Sequence, residues 1–206
     1  MKFKKILLLL LLPYMFEVLI ACSTGDCDGD FGNTYQYTHK LLEVKNLDYS
    51  GTQPSVVLEG DVSKHAYGIR LAIQREMVAR ITGPVKFSVF SPLYATDCPP
   101  NEYVGIESIA SIKVFTVNDF DDTHSAGSDV SNYFRVGNGA NAMTLTKFLD
   151  QFGNKTIYLV DQLNEDVDLY LATAPESNTS NQFKVQVTFS DGRVVEKTVD
   201  EIDLVD

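Results

Sequence analysis

FKVQVTFSDGRVVEKTV, residues 183–199, is the stretch on which the fold class turns. Phe183, Val185, Val187 and Phe189 alternate with Lys184, Gln186 and Thr188, the period of two by which a strand sends successive side chains to opposite faces. Ser190, Asp191 and Gly192 follow as a three-residue loop, with Gly192 supplying the left-handed conformation that a side chain disfavours. Counting through that loop sets Val195 opposite Val187, so the apolar residues of both arms share one face. A hairpin is predicted.

Working outward, the same period recurs in Tyr67, Ile69, Leu71 and Ile73, interleaved with Gly68, Arg70, Ala72 and Gln74. Further strands are expected over residues 35–45, 85–90, 109–117, 156–160 and 167–171. One segment breaks the rule: Leu145, Phe148, Leu149 and Phe152 fall at i, i+3, i+4 and i+7, with Thr144 placed to cap the start and Gly153 the end. That spacing predicts one short amphipathic helix. Many short strands and one small helix point to an all-β fold, an immunoglobulin-like β-sandwich over residues 34–206. Trp is absent, so the Cys, Trp, Cys signature of antibody domains is missing.

The beginning of the chain reads as an address. Lys2, Lys4 and Lys5 precede an unbroken apolar run over residues 6–12, which Pro13 and Glu17 then interrupt. This is the form of a signal peptide, and it is too short for a membrane-spanning helix, which needs about 20 apolar residues. Leu19, Ile20, Ala21 and Cys22 resemble the bacterial lipobox. Cleavage of residues 1–21 and lipidation at Cys22 are therefore expected, the acyl chains giving durable attachment to a membrane. Residues 22–33 are small and acidic, with Asp26, Asp28 and Asp30, as in a flexible tether.

Charge excludes one class of partner. The chain has 17 Lys+Arg and 28 Asp+Glu; removal of three lysines and one glutamate with the leader leaves 14 minus 27, or −13. A polyanion such as nucleic acid is repelled by that balance unless a basic patch opposes it, and no basic run follows Lys5. With Cys22 lipidated, Cys27 and Cys98 remain. Beyond the cytosol they either bridge, which would contribute about 4 kcal/mol by constraining the unfolded chain, or stay as two thiols; both alternatives stand on sequence.

Chemistry is sparse. Asp119, Asp121 and Asp122 sit in a polar loop after a predicted strand, where clustered carboxylates suit calcium; the same residues serve equally as turn formers in solvent. Asn164, Glu165, Asp166 and Asp168 pose the same choice. Asp26, Asp28 and Asp30 imitate the opening of an EF-hand, but Phe31 and Tyr37 occupy the positions of its glycine and its glutamate. The histidines His39, His65 and His124 stand in no zinc or hydrolase spacing. Asp121, Asp122, His124 and Ser125 supply hydrolase residue types, but too close along the chain for a triad assembled from separate elements. No enzymatic activity is expected. Tyr94, Tyr103 and Tyr133 fall in or beside predicted loops and are candidates for a recognition patch, each with a core role as its alternative.

The lipobox, the acidic tether and the β domain with Phe115, Thr116, Val117, Asn118, Asp119, Phe120, Asp121 and Asp122 resemble uncharacterised Bacteroidota cell-envelope lipoproteins of a domain family of unknown function. That resemblance implies an outer-membrane lipoprotein at the cell surface and transfers no catalytic residue. The expected function is a non-enzymatic, lipid-anchored module that binds a protein or glycan and needs no cofactor. A calcium-stabilised adhesion or structural module is the alternative, and a hydrolase ranks third.

Overall fold

The computed structural model describes residues 32–81, 100–137, 139–152, 164–175 and 179–206. The expected leader over residues 1–21, Cys22, Cys27, Tyr94, Cys98, Gly153 and the strands expected over 85–90 and 156–160 lie outside these residues.

The first layer is a six-stranded sheet built on two long antiparallel strands, β1 (Thr34–Asp48) and β4 (Tyr67–Ile81). β2 (Ser55–Val57) pairs with the end of β1, and β5 (Glu102–Gly105) runs parallel to its beginning. On the other side of β4 come β8 (Asn164–Leu171) and then β7 (Phe134–Val136). Alternation holds only in the first half of β4: Tyr67, Ile69, Leu71 and Ile73 are buried, whereas residues from Gln74 onward are largely exposed. Gly68 has no tolerance for a side chain, because a Cβ would stand 2.5 Å from the Leu169 carbonyl oxygen on β8 and 2.5 Å from the Tyr49 ring.

Facing this layer are two three-stranded sheets. One orders β11 (Val194–Thr198), β10 (Phe183–Phe189) and β6 (Ile109–Thr116), all antiparallel. The other orders β3 (Asp61–Ser63), β12 (Ile202–Val205) and β9 (Thr179–Asn181), with β3 and β12 parallel. Gln182 alone separates β9 from β10, so one run of chain passes from one small sheet into the other.

The hairpin is as predicted. Val187 pairs with Val195, Gly192 has φ 85°, and the Phe189 and Arg193 main chains close the loop at 2.9 Å. The core lies between the layers, where Leu42, Ile69, Leu71, Leu169 and Leu171 meet Ile112, Val114, Val185 and Val187, with Val62, Ile202 and Leu204 from the third sheet. Each such side chain contributes about 1.5–3 kcal/mol by leaving water. Phe183 is the junction. Its ring packs at 5.5 Å on Tyr67, edge-on at 5.5 Å to Phe134 and at 6.1 Å to Phe120. Among the described residues, the all-β sandwich with one short helix expected from the residue pattern is the observed architecture.

The helix α1 (Leu145–Phe152) forms where predicted, with the Lys147 N–H donating to Thr144 Oγ1 at 3.2 Å. Leu145 is buried, and Phe148 and Leu149 pack against the core from the side of β6 and β7.

Candidate functional site

The acidic loop is knit to itself. Asp121 Oδ1 accepts from the Thr123 N–H, the Thr123 hydroxyl, the His124 N–H and His124 Nδ1, at 2.7–2.8 Å. The Thr123 hydroxyl does most to hold the Asp121 carboxyl down to about 2, with the His124 contacts adding to it against the smaller cost of desolvation. Asp119 Oδ1 accepts from the Ala126 N–H at 2.8 Å, and Asp122 is exposed. The Asp119 and Asp121 carboxylates serve as turn formers, and among the described residues no three His, Cys, Asp or Glu side chains are grouped to hold a metal ion. Asp119, Asp121 and Asp122 are therefore not gathered into the calcium-ligating arrangement that their spacing invited. Ser125 makes no hydrogen bond to the His124 ring, whose Nδ1 faces Asp121, Thr123 and, at 3.4 Å, the Tyr133 hydroxyl. Of the second acidic group, Asp168 grips Arg70 through two bonds of 2.7 Å, with Asp166 at 3.7 Å, across the β4–β8 ladder.

Tyr103 and Tyr133 do not form one patch. Tyr103 is 7% exposed and stacks on Tyr35 with ring centroids 5.3 Å apart, forming with Tyr37 a small second core at the outer end of β1. Tyr133 is half-buried against Phe120 and His124 at the edge of the main core. Both take the core role, because each ring has an aromatic partner to pack on, and they belong to different clusters.

Sequence reasoning missed two features. The first is a buried ionic cluster where the outer end of β1 meets the β10–β11 turn. Glu107, with its side chain 4% exposed, offers Oε1 to the His39 N–H at 2.7 Å, the Thr38 hydroxyl at 2.8 Å, His39 Nδ1 at 3.2 Å and Arg193 Nη2 at 2.6 Å. Arg193 also donates to the His39 carbonyl. The His39 ring stacks on Phe189 at 5.0 Å, and its Nε2 accepts from Arg75 Nε at 3.4 Å, which makes it the neutral tautomer protonated on Nδ1. Burial is the main reason that His39 sits below the usual histidine range, and Arg75 pushes the same way. Burial alone would raise Glu107, but the bonds from His39 and Thr38 outweigh it and hold the carboxyl low.

The second feature is a cleft of about 250 Å³ between the edge of β6 and α1. Its β6 wall is the chain over 110–113; its helical wall includes Thr146, Leu149 and Asp150; Asp129, Asn132 and Arg135 complete it. Lys113 and Asp129 form an ion pair at 3.6 Å, and Asp129 also accepts from Ser131. Arg135 spends Nη1 on the carbonyls of Asn132 and Phe134, at 2.7 and 2.8 Å. Among the described residues no carboxylate lies within ion-pair distance of it. The alternation of β6 and the helical period of α1 were each readable, but their adjacency arises only from the chain folding back through β7.

An all-β sandwich carrying a helix-walled surface cleft is the class of molecule that fold and site define. The chain belongs to the family described as a domain of unknown function, DUF5034, whose model matches residues 39–200. No curated protein matches it. Among solved structures it is similar to the C-terminal domain of the Streptococcus pyogenes antigen I/II-family protein AspA, at 12% identity and a TM-score of 0.28, over 80% of this chain. The chain spans 46% of that one.

Proposed function

We propose that this chain is a non-enzymatic lipoprotein of the bacterial cell envelope, anchored through Cys22, whose sandwich domain holds a protein or glycan ligand in the cleft between β6 and α1. The observation that carries the binding reading is that cleft: a preformed concavity in which an edge strand and an arginine face a helix. Such concave sites with a few converging polar groups are where ligands are held. Anchoring is supported by the four residues ending at Cys22 and by the basic, then apolar, start of the chain. The resemblance to Bacteroidota lipoproteins supports the outer face of the outer membrane as the location.

The binding reading is tested with the detergent-solubilised full chain, screened against glycan and peptide arrays beside Thr146→Trp, which fills the cleft from an exposed helix position. Binding to one ligand class that is lost on filling the cleft is expected; no binding, or binding that Thr146→Trp leaves intact, overturns it. Anchoring is tested separately, by palmitate labelling and proteinase shaving of intact cells. Label that disappears in Cys22→Ala, with degradation of the protein while a periplasmic control survives, is the expected result.

A further inference from the structure

We infer that the cleft takes an extended peptide bearing a carboxylate: the peptide main chain pairs with the open edge of β6 at Ile112, and the carboxylate is gripped by Arg135. This rests on the binding reading above and names the ligand class for that same site.

The main-chain argument follows from alternation. Val114 accepts from the Val130 N–H and donates its own N–H to Ser131 Oγ, while Thr116 donates to the Ser128 carbonyl and accepts from the Gly127 N–H. Both residues therefore turn their polar main-chain groups away from β10. In an antiparallel ladder this orientation repeats every second residue, so Ile112, paired with Val187, also aims its N–H and C=O away from β10. At Val114 and Thr116 the segment over 127–131 covers the edge. At Ile112 the edge gives onto the cleft, and no protein group among the described residues meets its N–H or C=O. Ile112 is only 4% exposed, and buried main-chain polar groups ordinarily have a partner. A peptide strand supplies one donor and one acceptor at this spacing, which is the physical basis of strand addition to a sheet edge.

Arg135 gives the chemistry of the other end. With Nη1 fixed by two carbonyls, the guanidinium is oriented in advance. Its Nε and Nη2 remain as the parallel pair of donors that matches a carboxylate, as Arg70 demonstrates on Asp168 in this same fold. Among the described residues no aromatic ring lines the cleft, whereas Ala110, Leu145 and Leu149 do; aliphatic walls suit small side chains better than they suit a sugar face. The volume is that of about eight waters at roughly 30 Å³ each, room for a short stretch of main chain with its side chains.

The test uses the full chain in detergent and three hexapeptide pools, read by fluorescence polarisation and by the Ile112 amide resonance. One pool has free C-termini and no Asp or Glu, one has amidated C-termini with Asp and Glu, and one is amidated without either. Binding of a carboxylate-bearing pool is expected, at least tenfold tighter than the carboxylate-free pool, with the Ile112 resonance shifted and the affinity reduced at least tenfold in Arg135→Gln. Whichever carboxylate-bearing pool binds identifies its source as chain terminus or side chain. Equal binding of the carboxylate-free pool, an unmoved Ile112 resonance, or no peptide binding at all overturns the inference. A glycan ligand lost in Thr146→Trp, in the absence of peptide binding, sinks the peptide while leaving the cleft as a binding site.

Discussion

Glu107 and His39 show what a buried residue does in this molecule. His39 is held neutral between a carboxylate on Nδ1 and a guanidinium near Nε2, so a second proton would have to sit on the nitrogen that faces Arg75. Its ordinary affinity for that proton returns on unfolding. Between its lowered native value and about 6.5, the unfolded chain binds more protons, and stability falls as the pH drops. Glu107 adds the same sign further down: its carboxyl is held low in the native state, so its contribution is present above the usual glutamate range and is lost as acid protonates it. A melting temperature that declines from pH 7 to pH 5, with a shallower decline in His39→Gln, is the expected outcome of a thermal melt series. None of this was legible in the sequence. Glu107 lies 68 residues from His39 and 86 from Arg193, and a histidine inside a strand pattern carries no mark of its partner. The same blindness applied to Tyr103, whose neighbours in sequence suggest a loop while its neighbour in space is Tyr35.

At the level of elements, legibility followed self-sufficiency. The hairpin of β10 and β11 and the helix α1 were both readable because turn, cap and apolar period occur within one short window. β2, β3, β5, β7 and β9 escaped because each is three or four residues long and is a strand only by virtue of the strand it lies beside. β5 and β3 pair in parallel with distant partners, and no local pattern encodes that. The helix also offers a check on the cleft. Thr144 lines it and caps α1, and Thr144→Ala costs about 0.5–2 kcal/mol of stability where such a cap is lost. Amide exchange is expected to rise in the first turn of α1, seen by deuterium uptake, with the β10–β11 hairpin unaffected.

At the scale of the molecule, the three sheets of the described residues share one core, and Phe183 is where they meet. It follows Gln182, the single residue between the two small sheets, and its ring reaches Tyr67 and Phe134 of the large one. Phe183→Ala removes a fully buried ring and is expected to destabilise by about 3–5 kcal/mol, measured as a loss of cooperative unfolding free energy in urea with all sheets melting together. Class and layering could be read from the alternating strands. The division of the second layer into two sheets could not, since Thr179, Ser180 and Asn181 carry no apolar alternation to mark a strand ahead of Phe183.

The two long strands extend beyond the core they help to build. In the ladder of β1 and β4, irregularities fall between Gln36 and Tyr37 and between His39 and Leu41. Inward of them Leu42 packs in the main core, and outward, among the described residues, the buried apolar cluster is the small one of Tyr37 and Tyr103 with Tyr35. A single continuous ladder is thus expected to open in two lengths, because local opening is governed by the apolar contacts beneath it rather than by strand continuity. Hydrogen exchange should divide β1 at His39: amides over 42–47 wait for global unfolding, while those over 35–38 escape through a smaller, earlier opening. The outer end of the sheet would then breathe as a unit while the sandwich beneath it stays closed.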